Sequence, residues 1–316
     1  MDRVLNFRLI QFCFVLTLLY LSEHGLEATI GPGNRKSGSR SQTTSSLKSS
    51  TLSSSEEPII EEPTPIQSLG PLDSTVLQRD LIQEEIDPRS IIENHLAYCS
   101  VCTADREFPN PTLVYITPWN NRGYDLVKIF TKKFDYIAPV WFRAKRTGFE
   151  KYIIEGAHDI DIPWIETLKE NNPNIRIVPR LVLEKWAAPH VHALAESEAE
   201  KQKLAQTVAE FLIAYDHLFD GYVLDLIVQF RTVPKDVVHH IVRDIAEYVH
   251  HIETNSTRRK EIILMVSPAE EVFNQNDYQS LSQYLDGFNV MALDFPSRDA
   301  APVAPIGKFN FDSNFG

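Results

Sequence analysis

FDGYVLDLIVQF, residues 219–230, is the stretch whose reading decides the fold. Val, Leu and Ile dominate it, as in a strand buried on both faces, yet it carries Asp220 and Asp225. Ionised carboxylates are expensive to bury unless they are paired or hydrogen-bonded, so a strand that keeps two of them has a use for them. Side chains alternate along a strand, which puts positions 223, 225 and 227 on one face.

Working outward, short β-branched runs alternate with amphipathic segments. TLVYIT (112–117) precedes a helical pattern over LVKIFTKKF, and YIAPVWF (136–142) follows. Asp161 and Pro163 open a helix that ENNP stops, and IRIVPRLVLE (175–184) is the third run. Ser197 and Glu200 stand in capping-box spacing before Leu204, Val208, Phe211 and Tyr215, which repeat at helical intervals. Beyond the opening stretch, Pro234 starts a helix with Val237, Ile241, Ile245 and Tyr248 on one face. EIILMV (261–266), a short helix near Asp277, and GFNVMALDF (287–295) complete the series.

Six strands, each separated by a helix, predict a parallel sheet, either doubly wound or rolled into a (β/α) barrel. No glycine-rich GxGxxG turn follows the first strand, which removes the main signature of the dinucleotide-binding version. Polar and aromatic residues collect instead at the strand C-termini: Trp119, Trp141, Glu184 with Trp186, Asp225, and Asp294 with Phe295. That is where a (β/α)8 TIM-type barrel builds its site.

The chain has 316 residues, 43% of them hydrophobic and 10% aromatic, so it can bury a real core. Its formal net charge of -12 argues against a dedicated nucleic-acid binder. Arg3 and Arg8 precede the apolar run Leu9 to Leu21, and small residues follow to Ala28, a signal-peptide pattern over residues 1–28. The run is shorter than the roughly 20 residues of a spanning helix, and no later stretch is apolar enough, so no membrane span is expected after cleavage. SGSRSQTTSSLKSSTLSSS (37–55) and EEPIIEEPTP (56–65) cannot bury enough apolar area to offset chain entropy, and 29–85 reads as a disordered linker before a domain over 86–316. Cys99 and Cys102, in YCSVC, are a disulfide candidate for an oxidising compartment, and Asn255-Ser256-Thr257 is a glycosylation sequon.

FDGYVLDLI resembles the DxxDxDxE strand signature of glycoside hydrolase family 18, the chitinases, in its first Asp, its Gly and its later Asp. YITPWNNRGYDLVKIF, YIAPVWF, IVPRLVLEKW and LDGFNVMALDF are similar to segments of the chitinase-like proteins of that family. The resemblance implies a TIM-type barrel and an oligosaccharide partner, with a sorting or scavenger receptor as a further partner and a secreted or lysosomal location. It also implies eight strands, the eighth carrying a tryptophan. Six are read here, so the barrel is expected to be incomplete, cut short at the C-terminus. Laid over this sequence, the signature puts its first and third Asp on Asp220 and Asp225, its middle Asp on Val223 and its catalytic Glu on Ile227. A tyrosine that active members carry on the sixth strand falls on Leu293.

Family hydrolysis uses the glutamic acid to protonate the leaving oxygen while the sugar's N-acetyl carbonyl attacks, held by the middle aspartate and the tyrosine. Isoleucine cannot donate a proton, and valine cannot balance the developing charge. The expectation is a chitinase-like protein that binds saccharide without cleaving it. Candidate binding residues are Trp119, Trp141, Arg180, Glu184, Trp186, Asp225 and Asp294. Each has a plainer reading: Asp225 as a buried acid paired with Arg180, and the tryptophans as packing rather than sugar platforms. Two alternatives stay open: a glycosidase using Glu184 with Asp225 or Asp294, or a scaffold without sugar. The pairs His239–His240 and His250–His251 read as a solvated helix face with no i, i+4 pair for a metal, and His190 and His192 have strand-like spacing without a third ligand. No metal or cofactor is expected.

Overall fold

The computed structural model describes residues 67–184, 186, 188–253 and 258–292. Two compact units divide after Ser100. In the first, Asp87 caps helix α1 (Pro88–Asn94) by accepting from the Arg89 amide at 3.0 Å. Leu72 pairs with Cys99 in a parallel bridge, donating to the Tyr98 carbonyl at 2.9 Å and accepting from the Ser100 amide at 2.8 Å. Backbone hydrogen bonds therefore already tie down part of the stretch 67–85, which the sequence assigns to the end of the linker. The signal-peptide pattern, most of the linker, Asn255, Leu293 and Asp294 lie outside the described residues.

The second unit runs β1 (Leu113–Ile116), α2 (Asn121–Ile129), β2 (Tyr136–Pro139), β3 (Phe142–Gly148), β4 (Lys151–Glu155), α3 (Ile162–Asn171), β5 (Arg176–Ile177), β6 (Arg180–Leu183), α4 (Ala188–Glu196), α5 (Glu198–Ala214), β7 (Gly221–Asp225), α6 (Ile227–Thr232), α7 (Lys235–His250), β8 (Glu261–Val266), α8 (Gln275–Leu281) and β9 (Gly287–Val290). Several helices start where a side-chain oxygen serves the orphan amides of the first turn, whereas α7 starts at Pro234 without one. Asp161 accepts from Trp164 N at 3.0 Å, with Pro163 in the first turn of α3. Ser197 accepts from Glu200 N at 3.2 Å. That is half a capping box, because the Glu200 carboxylate turns away to Arg146 and Tyr152.

The strands take six positions in chain order. β1 pairs with β2 and β2 with β5; β3 pairs with β6, β6 with β7, β7 with β8 and β8 with β9, all parallel. β2 runs on into β3 across Val140–Trp141, and β5 into β6 across Val178–Pro179, so each pair is one strand position with an interruption. Sequential parallel neighbours with helices between them are the winding of a (β/α) barrel. Among the described residues β1 and β9 share no strand pairing, and the α/β arc is an incomplete barrel.

Two apolar clusters mark its two sides. Leu113, Tyr136, Ala138, Val178, Val223, Ile263 and Met265 come from five successive positions and fill the inside, with Tyr115, Ile227 and Met291 packed against them. The larger cluster, including Ile137, Leu168, Ile177, Leu204, Val208, Leu212, Ile241, Ile245 and Leu264, lies between the sheet and its helices. Strand alternation alone separates the two sets: Tyr136 and Ala138 face in, and Ile137 faces out.

Three local readings are corrected. The strand of the opening stretch ends at Asp225, and Ile227 begins a helix. His190 and His192 lie on helix α4 rather than a strand. Residues 142–155 form an antiparallel hairpin, β3–β4, that the sequence reading passes over. Its turn puts Glu150 at φ 48 without the Asn-Gly pair that usually announces such a geometry.

Candidate functional site

The site is built on β7. Asp220 precedes the strand, and its Oδ2 accepts from Ile177 N at 2.9 Å while its own amide donates to Ile177 O at 2.7 Å. It stitches β5 to β7 and plays no part at the barrel mouth. Gly221 follows at φ 148, where a Cβ would sit 1.8 Å from the Glu261 carbonyl oxygen, so this position accepts only glycine.

Val223, Asp225 and Ile227 then point inward together. Val223 is fully buried among Leu113, Tyr136, Ile263 and Met265, and Ile227 packs against the same group. The register sets Arg180 opposite Val223, which makes Asp225 its diagonal neighbour. Arg180 closes on that neighbour: Nε donates to Asp225 Oδ2 at 2.9 Å, and Nη2 donates to the same oxygen. Asp225 Oδ1 accepts from Ile227 N at 3.3 Å and so caps the turn into α6. Across the inside, Asn289 Nδ2 donates to the Tyr115 hydroxyl. Burial pushes the Tyr115 phenol well above its ordinary range; the Asn289 contact offsets part of that, and the charge on Asp225 adds to it.

The remaining candidates do not converge. Trp119, just past β1, is 64% exposed. Trp141 is 3% exposed and belongs to the layer between sheet and helices, where its indole N–H donates to the Tyr124 hydroxyl at 2.8 Å and its ring packs against Trp164 and Phe219. The expectation that Trp141 offers a face to a sugar is therefore corrected: the break between β2 and β3 turns it outward, and the ring is enclosed by packing. Trp186 stacks on Tyr152 with centroids 5.9 Å apart and donates to the Ala144 carbonyl at 3.2 Å, again on the hairpin side. Glu184 lies 3.5 Å from Arg143, which also approaches Glu155 at 4.0 Å. Glu184 and Asp225, named for a relocated pair, are thus each engaged by a guanidinium group, Arg143 and Arg180, on separate strand positions.

Sequence reasoning missed Tyr115, Asn289 and Arg143. For the first two a signal was present: Tyr115 shares the face of Leu113, and Asn289 is a lone amide in an apolar strand that is fully buried in the fold. Arg143 is placed by the hairpin and had none. Cys99 and Cys102 are bonded to each other as a disulfide.

Comparison with known proteins gives a family match and several structural likenesses. The model of the glycosyl hydrolases family 18 matches residues 112–315. Similar solved structures include YKL-39, determined in the presence of chitooligosaccharides, at 19% identity and a TM-score of 0.47, covering 58% of this chain and 51% of that one. A family 18 N-acetylglucosaminidase from Paenibacillus barengoltzii is 18% identical with a TM-score of 0.44, covering 58% and 53%. A chitinase from Chromobacterium violaceum is 16% identical with a TM-score of 0.46, covering 61% and 60%. The chain spans between about half and three fifths of the length of these proteins.

Proposed function

We propose that this chain, which belongs to glycosyl hydrolase family 18, is a noncatalytic chitinase-like protein that binds an amino-sugar oligosaccharide without hydrolysing it. The observation that carries the reading is that Val223, fully buried, and Ile227, packed against the same apolar cluster, put hydrocarbon at the two positions where the family signature has carboxylic acids. A proton donor and a charge-balancing acid are both replaced there, and general acid catalysis alone is worth about 10² to 10⁴ in rate. Asp225, the acid that remains, is held by Arg180 and the Ile227 amide, which suits it to holding shape or to accepting from a sugar hydroxyl.

The segments quoted above are similar to those of chitinase domain-containing protein 1, and membership of that subgroup is part of the proposal. So is a secretory or lysosomal route, supported by the 1–28 pattern and the Asn255 sequon. A second reading, a scaffold without sugar, is favoured by how completely side chains fill the barrel at the level of Val223.

Isothermal titration of the full chain with N-acetylglucosamine tetramers, beside a sensitive turnover assay, tests both. Binding without turnover supports the lectin reading, and no binding favours the scaffold. Turnover abolished by Glu184→Gln would instead establish an enzyme with a relocated acid. Ile227→Glu is expected to create no activity, because a carboxyl placed there has neither an aspartate beside it nor a polar setting for the N-acetyl group.

A further inference from the structure

The helices on the outside of the arc bring together three groups that the sugar reading does not use. Glu198 stands in the first turn of α5, and His240 and Asp244 lie one turn apart on α7. His240 Nε2 is 3.0 Å from Glu198 Oε1 and 3.3 Å from Asp244 Oδ2, and the three ligand atoms all lie within 4.8 Å of one another. The pair His240 and Asp244 has the i, i+4 spacing that inspection of the histidines alone does not find.

The orientation of these atoms matters more than their proximity. Asp244 is nine-tenths buried, and among the described residues its Oδ2 has no neighbouring donor but the His240 Nε2, which also faces Glu198. The other oxygens have partners: Arg243 donates to Asp244 Oδ1 at 3.1 Å, and Lys201 Nζ donates to Glu198 Oε2 at 3.3 Å. The two cations therefore bind the outer carboxylate oxygens, and the inner oxygens and the ring nitrogen converge on one another. Leaving a buried carboxylate oxygen without a donor is costly, and a single proton on His240 can serve one carboxylate at a time.

We propose that Glu198, His240 and Asp244 form a divalent transition-metal site, with Zn²⁺ as the best-matched ion, that ties the start of α5 to α7. One imidazole and two carboxylates are the donor set of a borderline metal, since Ca²⁺ and Mg²⁺ prefer all-oxygen shells. Ligands at about 2.0 to 2.2 Å from a tetrahedral zinc stand roughly 3.3 to 3.6 Å apart, close to the two separations from His240, and water would complete the shell. Glu198 is exposed and provides the route in. The site is remote in chemistry from saccharide binding and does not depend on it.

The test is titration of the full chain with Zn²⁺ against a competing chelator, repeated on His240→Gln and Glu198→Gln. Glu198 is on the surface, so its variant keeps the fold even if the buried one does not. The expected result is one saturable zinc per chain, a melting temperature that rises with zinc in the unaltered protein, and affinity at least about tenfold weaker in each variant. The proposal is overturned by the absence of saturable binding, by affinity unchanged in Glu198→Gln, or by Ca²⁺ competing at equal concentration.

Discussion

Asn289, on the last described strand, donates its amide to the hydroxyl of Tyr115 on the first. Five strand positions separate the two along the arc, so the contact shows how far the sheet has curled: side chains meet across the inside where backbones do not pair. Asn289 is fully buried and among the described residues its Oδ1 has no hydrogen-bond partner, so the contact with Tyr115 anchors the other end of that amide. Tyr115→Phe is expected to cost about 1 to 3 kcal/mol, the range for stranding a buried donor, and Tyr115→Phe with Asn289→Leu less than the sum of the single changes. Urea unfolding midpoints check both; an additive pair would mean that the two side chains are energetically independent.

Arg180 and Asp225 are both largely buried, and each is the other's counter-charge. Removing one strands the other: Arg180→Met should destabilise by about 3 to 5 kcal/mol, whereas Arg180→Met with Asp225→Leu should recover most of the loss, because an apolar pair needs no desolvation. Denaturant unfolding of the three proteins measures it. If Asp225→Asn alone leaves stability unchanged but abolishes oligosaccharide binding, the acid serves the ligand rather than the fold.

Glu200 links the hairpin to α5 from a fully buried position, accepting from Arg146, from the Tyr152 hydroxyl and from the Glu150 amide at 3.0 Å. Burial works against its charge, but these donors outweigh it and bring the carboxyl down from 4.5 to about 2. A lowered folded-state value means that the stabilisation is complete above the unfolded value and is lost as pH falls through 4.5 towards 2. Unfolding midpoints at about pH 7, 4 and 3 should therefore fall steeply at the acid end, and the slope should flatten in Glu200→Gln. Glu200→Gln should itself cost about 3 kcal/mol at neutral pH, as for removal of one member of a buried pair.

Two tryptophans separate binding from packing. Trp119→Ala, at an exposed ring, should change stability by less than about 0.5 kcal/mol and weaken oligosaccharide binding if the lectin reading holds. Trp141→Ala empties a packed position and should cost about 3 to 5 kcal/mol. Calorimetric titration beside thermal melting distinguishes the two effects, and a Trp119 variant with undiminished affinity removes that ring from the site.

The sequence by itself determined the architecture. Alternating apolar runs and helical stretches are local signals, and Asp161, Pro163 and Ser197 act within one turn of the helices they start, so each could be read from its neighbours in the chain. The substitution of the acids was equally legible, since strand parity carries Val223 and Asp225 to one face, although Ile227 reaches that side from the first turn of α6 rather than by strand alternation. Only the tertiary structure decided which partners those residues meet. Trp141 turned from sugar platform to core because an interruption between two strands rotated it outward, and Glu200 left its cap because Arg146 and Tyr152, about fifty residues earlier, offered better donors. Asn289 met Tyr115, and Glu198 met His240 and Asp244, through the curl of the sheet and the packing of two helices. Those encounters depend on contacts between segments far apart in the chain, which no local pattern encodes.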